Sequence, residues 1–235
     1  MSRGYFITGT DTGVGKTVIT AALLSALRAR GRRATVMKPV QTGCILRAGS
    51  LVAPDVEFCL RAADWAPPAD ELARINPYRY ARACSPHLAA RLEGPDISVP
   101  EIMSRFHELS EAYETVLVEG AGGLQVPLGF GQSMLTLLAN MELPVVLVAR
   151  SGLGTINHCM LSIAALRDAE VEIAGIVFND ANDKQDEEIT ADNIAMIEAE
   201  AGVPALLRFP QVANVENGDV LRPIGDQILS ALGTD

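Results

Sequence analysis

The chain has 235 residues, enough for one large α/β domain, and its 49% hydrophobic and 20% charged content excludes a disordered chain. Nineteen Lys and Arg against 29 Asp and Glu give a net charge of −10, which excludes general nucleic-acid binding, because neutralising a phosphate backbone needs a basic face. No apolar run reaches the ~18 residues of a membrane span, and no signal-peptide core follows Met1. The four cysteines (Cys44, Cys59, Cys84, Cys159) are scattered without a Cys-x-x-Cys pair, so a reduced, cytoplasmic protein is expected.

Strands and helices alternate along the chain. Tyr5–Thr8 is a short apolar strand, Lys16 to Arg30 a helix closed by Gly31, and Ala34–Met37 the next strand. Residues 39–54, with Gly43, Gly49 and Pro54, read as loop. Helices follow at about 55–63, 86–93 and 100–113, with a Pro-rich link (Pro67, Pro68, Pro77) between the first two. The β-branched run Thr115–Val118 ends at Glu119 and meets Gly120-Ala121-Gly122-Gly123. Val145–Val148 is a buried strand, followed by a helix from about Ile156 to Ala169 and a strand from Ile173 to Phe178 that ends at Asn179. A helix over 187–201, a strand over Ala205–Phe209 and a short C-terminal helix complete the order. Apolar strands that are continuous rather than alternating, separated by helices, predict a mostly parallel sheet with helices on both faces, a three-layer α/β fold in a single domain over 1–235.

The sharpest motif is Gly9-Thr10-Asp11-Thr12-Gly13-Val14-Gly15-Lys16-Thr17, between the first strand and the first helix. Backbone N–H groups of such a turn converge on phosphate oxygens. Lys16 would reach the β- and γ-phosphates, and the Thr17 hydroxyl would ligate Mg²⁺. The strict phosphate-loop pattern is missed by one place, since Thr10 holds its first position and Gly9 stands just before. A plain strand-to-helix turn is the competing reading. The fold expected is that of the P-loop NTPases. The deviant-loop ATPases of chromosome partitioning and division-site selection carry an extra Lys five residues before the loop Lys. Asp11 occupies that place here, which speaks against that class. The guanine-specificity motif Asn-Lys-x-Asp is absent, Asn179-Asp180-Ala181-Asn182 being its nearest counterpart.

Three further segments belong at the carboxyl edge of a parallel sheet, where ligands bind. Glu119 ends the third strand in the position of a Walker-B acid, or is a surface carboxylate. Asp55 opens a helix and is either a site carboxylate or an N-terminal-turn residue. Lys38-Pro39-Val40-Gln41-Thr42-Gly43 follows the second strand, as a site segment or an ordinary connection. Sixteen of the nineteen basic residues are Arg, and Lys16 and Lys38 are two of only three Lys. A retained Lys among arginines suggests a site that needs a compact ammonium rather than a planar fork.

On these motifs, with Gly154-Thr155-Ile156-Asn157-His158 and Asn179-Asp180, the chain resembles the dethiobiotin synthetase family over nearly its whole length. The resemblance implies ATP- and Mg²⁺-dependent ring closure of 7,8-diaminononanoate with CO₂, through a carbamate and a carbamic-phosphoric anhydride. It implies catalytic roles for Lys38 and Lys16, and Mg²⁺ held by Thr17, Asp55 and Glu119. Nucleotide would lie against Gly13, Val14, Gly15, Lys16, Thr17, Val18, Asp55, Glu119, Gly120, Ala121, Gly122, Asn179 and Asp180. After the last strand Pro210, Gln211 and Val212 align with the base pocket, whereas Glu216 is offset. Thr12, Thr42, Thr155, Ile156 and Asn157 would bind the diamine. The family implies a homodimer with a shared active site, in which the free N–H groups at 154–157 take the substrate's remote carboxylate across the interface. The competing reading of Asn157 is a cap on its own helix. Gly13 stands where some members carry Glu, and Thr42 where others carry Ser. A related P-loop amide synthase and a regulatory ATP-binding module are the alternatives. The first lacks its glutaminase domain here, and the second needs neither Lys38 nor Thr42.

Overall fold

The structure, a computed structural model, describes residues 4–180, 186–209, 215 and 217–234. Among these, six strands form the central sheet: β1 (Gly4–Gly9), β2 (Ala34–Met37), β3 (Thr115–Glu119), β4 (Val145–Arg150), β5 (Ile173–Asn179) and β6 (Ala205–Phe209). Their order is β6-β5-β4-β1-β3-β2, and every neighbouring pair is parallel. The helices are α1 (Lys16–Ala29), α2 (Pro54–Ala62), α3 (Leu72–Ile75), α4 (Pro86–Glu93), α5 (Val99–Ala112), α6 (Met134–Met141), α7 (Thr155–Asp168), α8 (Glu187–Ala201) and α9 (Gly218–Ala231), and they cover both faces.

The strands are apolar throughout because neither face meets water. Val116, Leu117 and Val118 of β3 and Val145 to Ala149 of β4 are fully buried. Helix α1 is buried nearly all round from Ile19 to Leu27, as a helix between a sheet and other helices must be. Gly225 lets α9 approach it backbone to backbone, since a Cβ there would lie 2.0 Å from the Ala22 carbonyl oxygen. None of the described helices is long and apolar enough to cross a membrane.

The register brings the strand ends to one edge. Ile7 pairs with Glu119, Gly9 with Val148, and Met37 with Val118. β1 lies between β3 and β4, so the loop that leaves it opens at the point where successive connections diverge, the binding crevice of such sheets.

The regions that depart from the sequence expectation include two after the second and third strands of the sheet. Residues 39–54 are not plain loop: Val40–Gln41 pairs in parallel with Tyr78–Arg79, and Ile45–Arg47 forms a hairpin with Ser50–Val52. Its two-residue turn puts both Ala48 (φ 49°) and Gly49 (φ 81°) in the left-handed region, the geometry that matches strand twist. Helix α6 was not expected either. Ser133 accepts from the Thr136 N–H, and the Thr136 side chain returns to Ser133, a capping box in which Thr replaces the usual Glu or Gln.

Candidate active site

The phosphate loop joins β1 to α1. Gly13 (φ 74°) and Gly15 (φ 103°) hold backbone conformations that favour glycine. Gly15 is the N-cap and gives α1 no side-chain cap, so the first N–H groups of the helix remain for an anion. Asn179, at the end of β5, donates from Nδ2 to the Val14 carbonyl at 2.9 Å, bracing the loop from behind. Lys16 donates from Nζ to the Asp11 carbonyl at 2.8 Å. Burial, and then the neighbouring Lys38 ammonium, lower its pKa to about 8. Asp11 itself is exposed and accepts from the Thr12 N–H at 2.6 Å.

Lys38 is the centre of the charged network. Its Nζ lies 2.6 Å from Oε1 of Glu119 and 2.8 Å from Oδ2 of Asp55, and it reaches the Gly120 carbonyl at 3.3 Å. Thr17 donates to the same Glu119 oxygen at 2.8 Å. Burial alone would discharge Lys38, but Glu119 and Asp55 hold its pKa above the ordinary lysine value. Burial likewise opposes charge on Asp55, and Lys38 overrides it, keeping that carboxyl below its usual range. Glu119 is 1% exposed, so it is no surface carboxylate. Asp55 lies in the first turn of α2, where Ala53 is the N-cap, and its carboxylate pairs with Lys38 rather than capping the helix. Gln41 is a neighbour of Asp55 that favours its charged form, and it donates to the Thr42 carbonyl at 3.4 Å; sequence reasoning passed over it for want of charge.

The donor set fits Mg²⁺. One hydroxyl and two carboxylates are hard oxygen ligands, and the 2.8 Å between Thr17 and Glu119 oxygens is within a few tenths of an ångström of the ~3.0 Å edge of an octahedron with ~2.1 Å bonds. Among the described residues no cluster of three or more His, Cys, Asp or Glu forms a metal cage.

The other expected residues are distributed as follows. Val14 is buried and Val18 half-buried against the core. Gly120, Ala121 and Gly122 form the turn after β3. Their small size serves the protein's own packing, since a Cβ on Gly122 would meet Val126 Cγ2 at 2.7 Å and Thr12 Oγ1 at 3.4 Å. Thr12 therefore sits over this turn, and Thr42 is half-buried beside Gln41. Asp180 pairs through Oδ2 with Arg208 at 2.7 Å. The Thr155 hydroxyl is buried and donates to the Arg150 carbonyl, so only its backbone is left for a ligand. Ile156 packs on the second core cluster, and Asn157 is exposed. Pro210, Gln211 and Val212 lie outside the described residues.

A cavity of about 140 Å³ separates the phosphate loop from the N-terminus of α7, lined by Thr10, Asp11, Arg150, Thr155 and His158. Arg150 was not expected there, because the end of a strand carries no motif, and His158, the last residue of the Gly154–His158 motif, was given no role in the site.

A parallel sheet that presents such a loop from its central strand is the architecture of the P-loop nucleoside-triphosphate-binding proteins. The MinD cell-division ATPase of Pyrococcus furiosus and a ParA-family ATPase of Chlorobium tepidum share it. They superpose at TM-scores of 0.60 and 0.56 with 19% and 15% identity, over 98% and 100% of this chain and 98% and 95% of theirs. A family model described as an AAA domain matches residues 3–218. The ATP-dependent dethiobiotin synthetase of Anoxybacillus flavithermus is 39% identical over 93% of this chain and 96% of its own. That of Bacillus subtilis is 37% identical over 96% and 95%, and that of Anaeromyxobacter sp. (strain K) 44% over 78% and 79%. The chain belongs to the family of ATP-dependent dethiobiotin synthetases.

Proposed function

We propose that this site closes the cyclic urea of dethiobiotin with Lys38 as its central catalytic charge. Family membership places the chain in biotin biosynthesis as an ATP-dependent ligase, and disfavours an amide synthase or a purely regulatory module. In the reaction, one amine of 7,8-diaminononanoate adds to CO₂ and loses a proton, giving a carbamate. A carbamate oxygen then attacks the γ-phosphorus of ATP and ADP leaves. The second amine attacks the carbamoyl carbon, phosphate leaves, and the ring is closed. The nucleophiles are the substrate's own, so the protein supplies position and charge.

The observation that carries this reading is the buried Lys38 ammonium held between Asp55 and Glu119, beside the phosphate loop's Thr17. Asp55 is its more exposed partner, with a side chain 31% accessible against 1% for Glu119. Lys38 exchanges Asp55 for the carbamate and phosphoryl oxygens as they arrive. Lys16 leaves the Asp11 carbonyl for the β- and γ-phosphates. As they stand, Lys16 and Lys38 balance Asp55 and Glu119, so nucleotide and carbamate bring an excess of negative charge. Mg²⁺ held by Thr17, Asp55 and Glu119 supplies the offsetting positive charge. Thr12 and Thr42 orient the diamine end.

The working form is a homodimer of single-domain subunits in the cytoplasm, handling small molecules only. Its support is the exposed apolar pair Leu153 and Leu161, 87% and 63% accessible, on either side of the exposed Asn157. ADP release that requires both 7,8-diaminononanoate and bicarbonate tests the reaction; release that ignores either one overturns it. Glu119→Gln keeps size and removes charge, so it should raise the Mg²⁺ concentration for half-maximal activity. An unchanged requirement removes Glu119 from the metal site.

A further inference from the structure

Lys38 stands one residue beyond β2, which ends at Met37, so the sheet no longer satisfies its backbone groups and other partners must. Consecutive residues at the end of α3 supply both. The Lys38 N–H donates to the Ile75 carbonyl at 2.8 Å, and the Lys38 carbonyl accepts from Nδ2 of Asn76 at 2.6 Å. The same nitrogen reaches the Tyr78 carbonyl at 3.4 Å. Asn76 is 2% exposed, and its own N–H donates to the Leu72 carbonyl at 3.0 Å. Two carbonyl oxygens face Nδ2, so the amide has one permissible orientation, because a flip would set oxygen against oxygen. Oδ1 is buried without a hydrogen-bond partner among the described residues. That arrangement is unfavourable, and an apolar side chain of the same shape would avoid it. What such a side chain would lose is the hold on Lys38.

We propose that Asn76 is a positioning residue of the reaction, fixing through the Lys38 carbonyl the backbone from which that ammonium reaches its anions. The inference rests on the catalytic reading of Lys38 given above. A lysine side chain is long and flexible, so its charge is placed only if both ends are held. The far end is held by Asp55 and Glu119, and once Lys38 exchanges Asp55 for substrate the near end must carry more of the alignment.

Dethiobiotin formation is measured for the wild type, Asn76→Ala, Lys38→Ala and the double variant. Asn76→Ala should lower kcat by ~10–10², the scale of a misplaced catalytic group, with KM for ATP and for the diamine unchanged. In the Lys38→Ala background the same substitution should change kcat by less than about twofold, because its only route of action is gone. Equal losses in both backgrounds would mean general support of the fold and overturn the inference. A wild-type kcat in Lys38→Ala would instead overturn the reading of Lys38, and the four proteins separate the two failures. Asn76→Asp provides an arm that leaves no cavity. Its carboxyl repels the Lys38 carbonyl when ionised and donates to it when protonated, so the variant's kcat relative to wild type should rise as pH falls. A ratio flat in pH, or a kcat equal to wild type throughout, overturns the assignment.

Discussion

Gly15, the N-cap of α1, and Asn179, the last residue of β5, approach so closely that a Cβ on Gly15 would lie 2.1 Å from Asn179 Nδ2. The phosphate loop is therefore not a free turn but is seated on the end of a core strand, held by the 2.9 Å bond from Asn179 to the Val14 carbonyl.

Gly15→Ala should displace this amide and also strain a backbone at φ 103°, which L side chains rarely adopt. ATP binding, followed by calorimetric titration, should weaken about tenfold or more. Adding Asn179→Ala relieves the clash but not the strain, so the double variant should recover only in part. Unaltered affinity in Gly15→Ala would sink the idea that the loop is braced.

Lys16 should take up a proton when nucleotide binds at mildly alkaline pH. Burial and then Lys38 set its pKa to about 8, so near pH 8 about half of the molecules carry it neutral. Phosphate oxygens favour the charged form and raise the pKa. ATP titrations at pH 8 in buffers of different ionisation enthalpy should report uptake of up to about half a proton. At pH 6.5 Lys16 is already charged and its uptake vanishes. Proton release at pH 8, or no pH dependence, would contradict this.

The sheet was legible in the sequence because its signal is one-dimensional: Val116–Val118 and Val145–Val148 are short, rich in β-branched residues and apolar without alternation, as strands buried on both faces are. The phosphate loop was legible because its glycines answer backbone demands. Lys38, Asp55 and Glu119 were readable as residues at strand or helix ends, and Glu119 is the case where one exposure value separates the two readings. The hairpin at 45–52 was not legible, since Ala48 takes a left-handed turn position where Asn or Asp would have announced it. Helix α6 was hidden by the Thr in its capping box. Gln41 and Asn76 are uncharged amides whose partners lie on other segments, so no spacing reveals them.

Lys38→Ala should lower kcat by ~10²–10³, the scale of losing one placed donor, and Lys38→Arg should also be poor because a planar guanidinium does not fit between two carboxylates 2.6 and 2.8 Å from the ammonium. Stability adds an independent readout. In the wild type Asp55 is held below its usual range by Lys38, so its contribution is complete above about pH 4 and is lost as pH falls through the lowered value. In Lys38→Ala, Glu119 and Asp55 are left without their cation, at a cost of about 3–5 kcal/mol for a buried pair broken on one side. Burial then opposes charge on Asp55 with no Lys38 to offset it, so this variant should gain stability as pH falls toward the carboxylate range, opposite to the wild type's trend. Mg²⁺ should raise its melting temperature more than that of the wild type. Parallel stability profiles for the two proteins would rule out the bridging role.

Asn157→Ala should raise KM for the diamine roughly fivefold to tenfold, the worth of one hydrogen bond, and leave kcat nearly unchanged, the pattern of lost uniform binding. Asn157 is exposed in the first turn of α7, where backbone N–H groups favour a carboxylate, and the Thr155 hydroxyl beside it is already committed to Arg150. Two geometries account for a KM effect: Asn157 acts on its own subunit's substrate, or on its partner's. Mixing Lys38→Ala with Asn157→Ala subunits separates them. If sites are shared across the interface, the heterodimer puts both lesions in one site and leaves the other with Lys38 and Asn157 intact, so wild-type KM returns in a fraction of the activity. If each subunit serves itself, the heterodimer holds one site without Lys38 and one without Asn157, and every active site keeps the raised KM. A protein that sediments as a monomer at full activity would exclude the shared site outright.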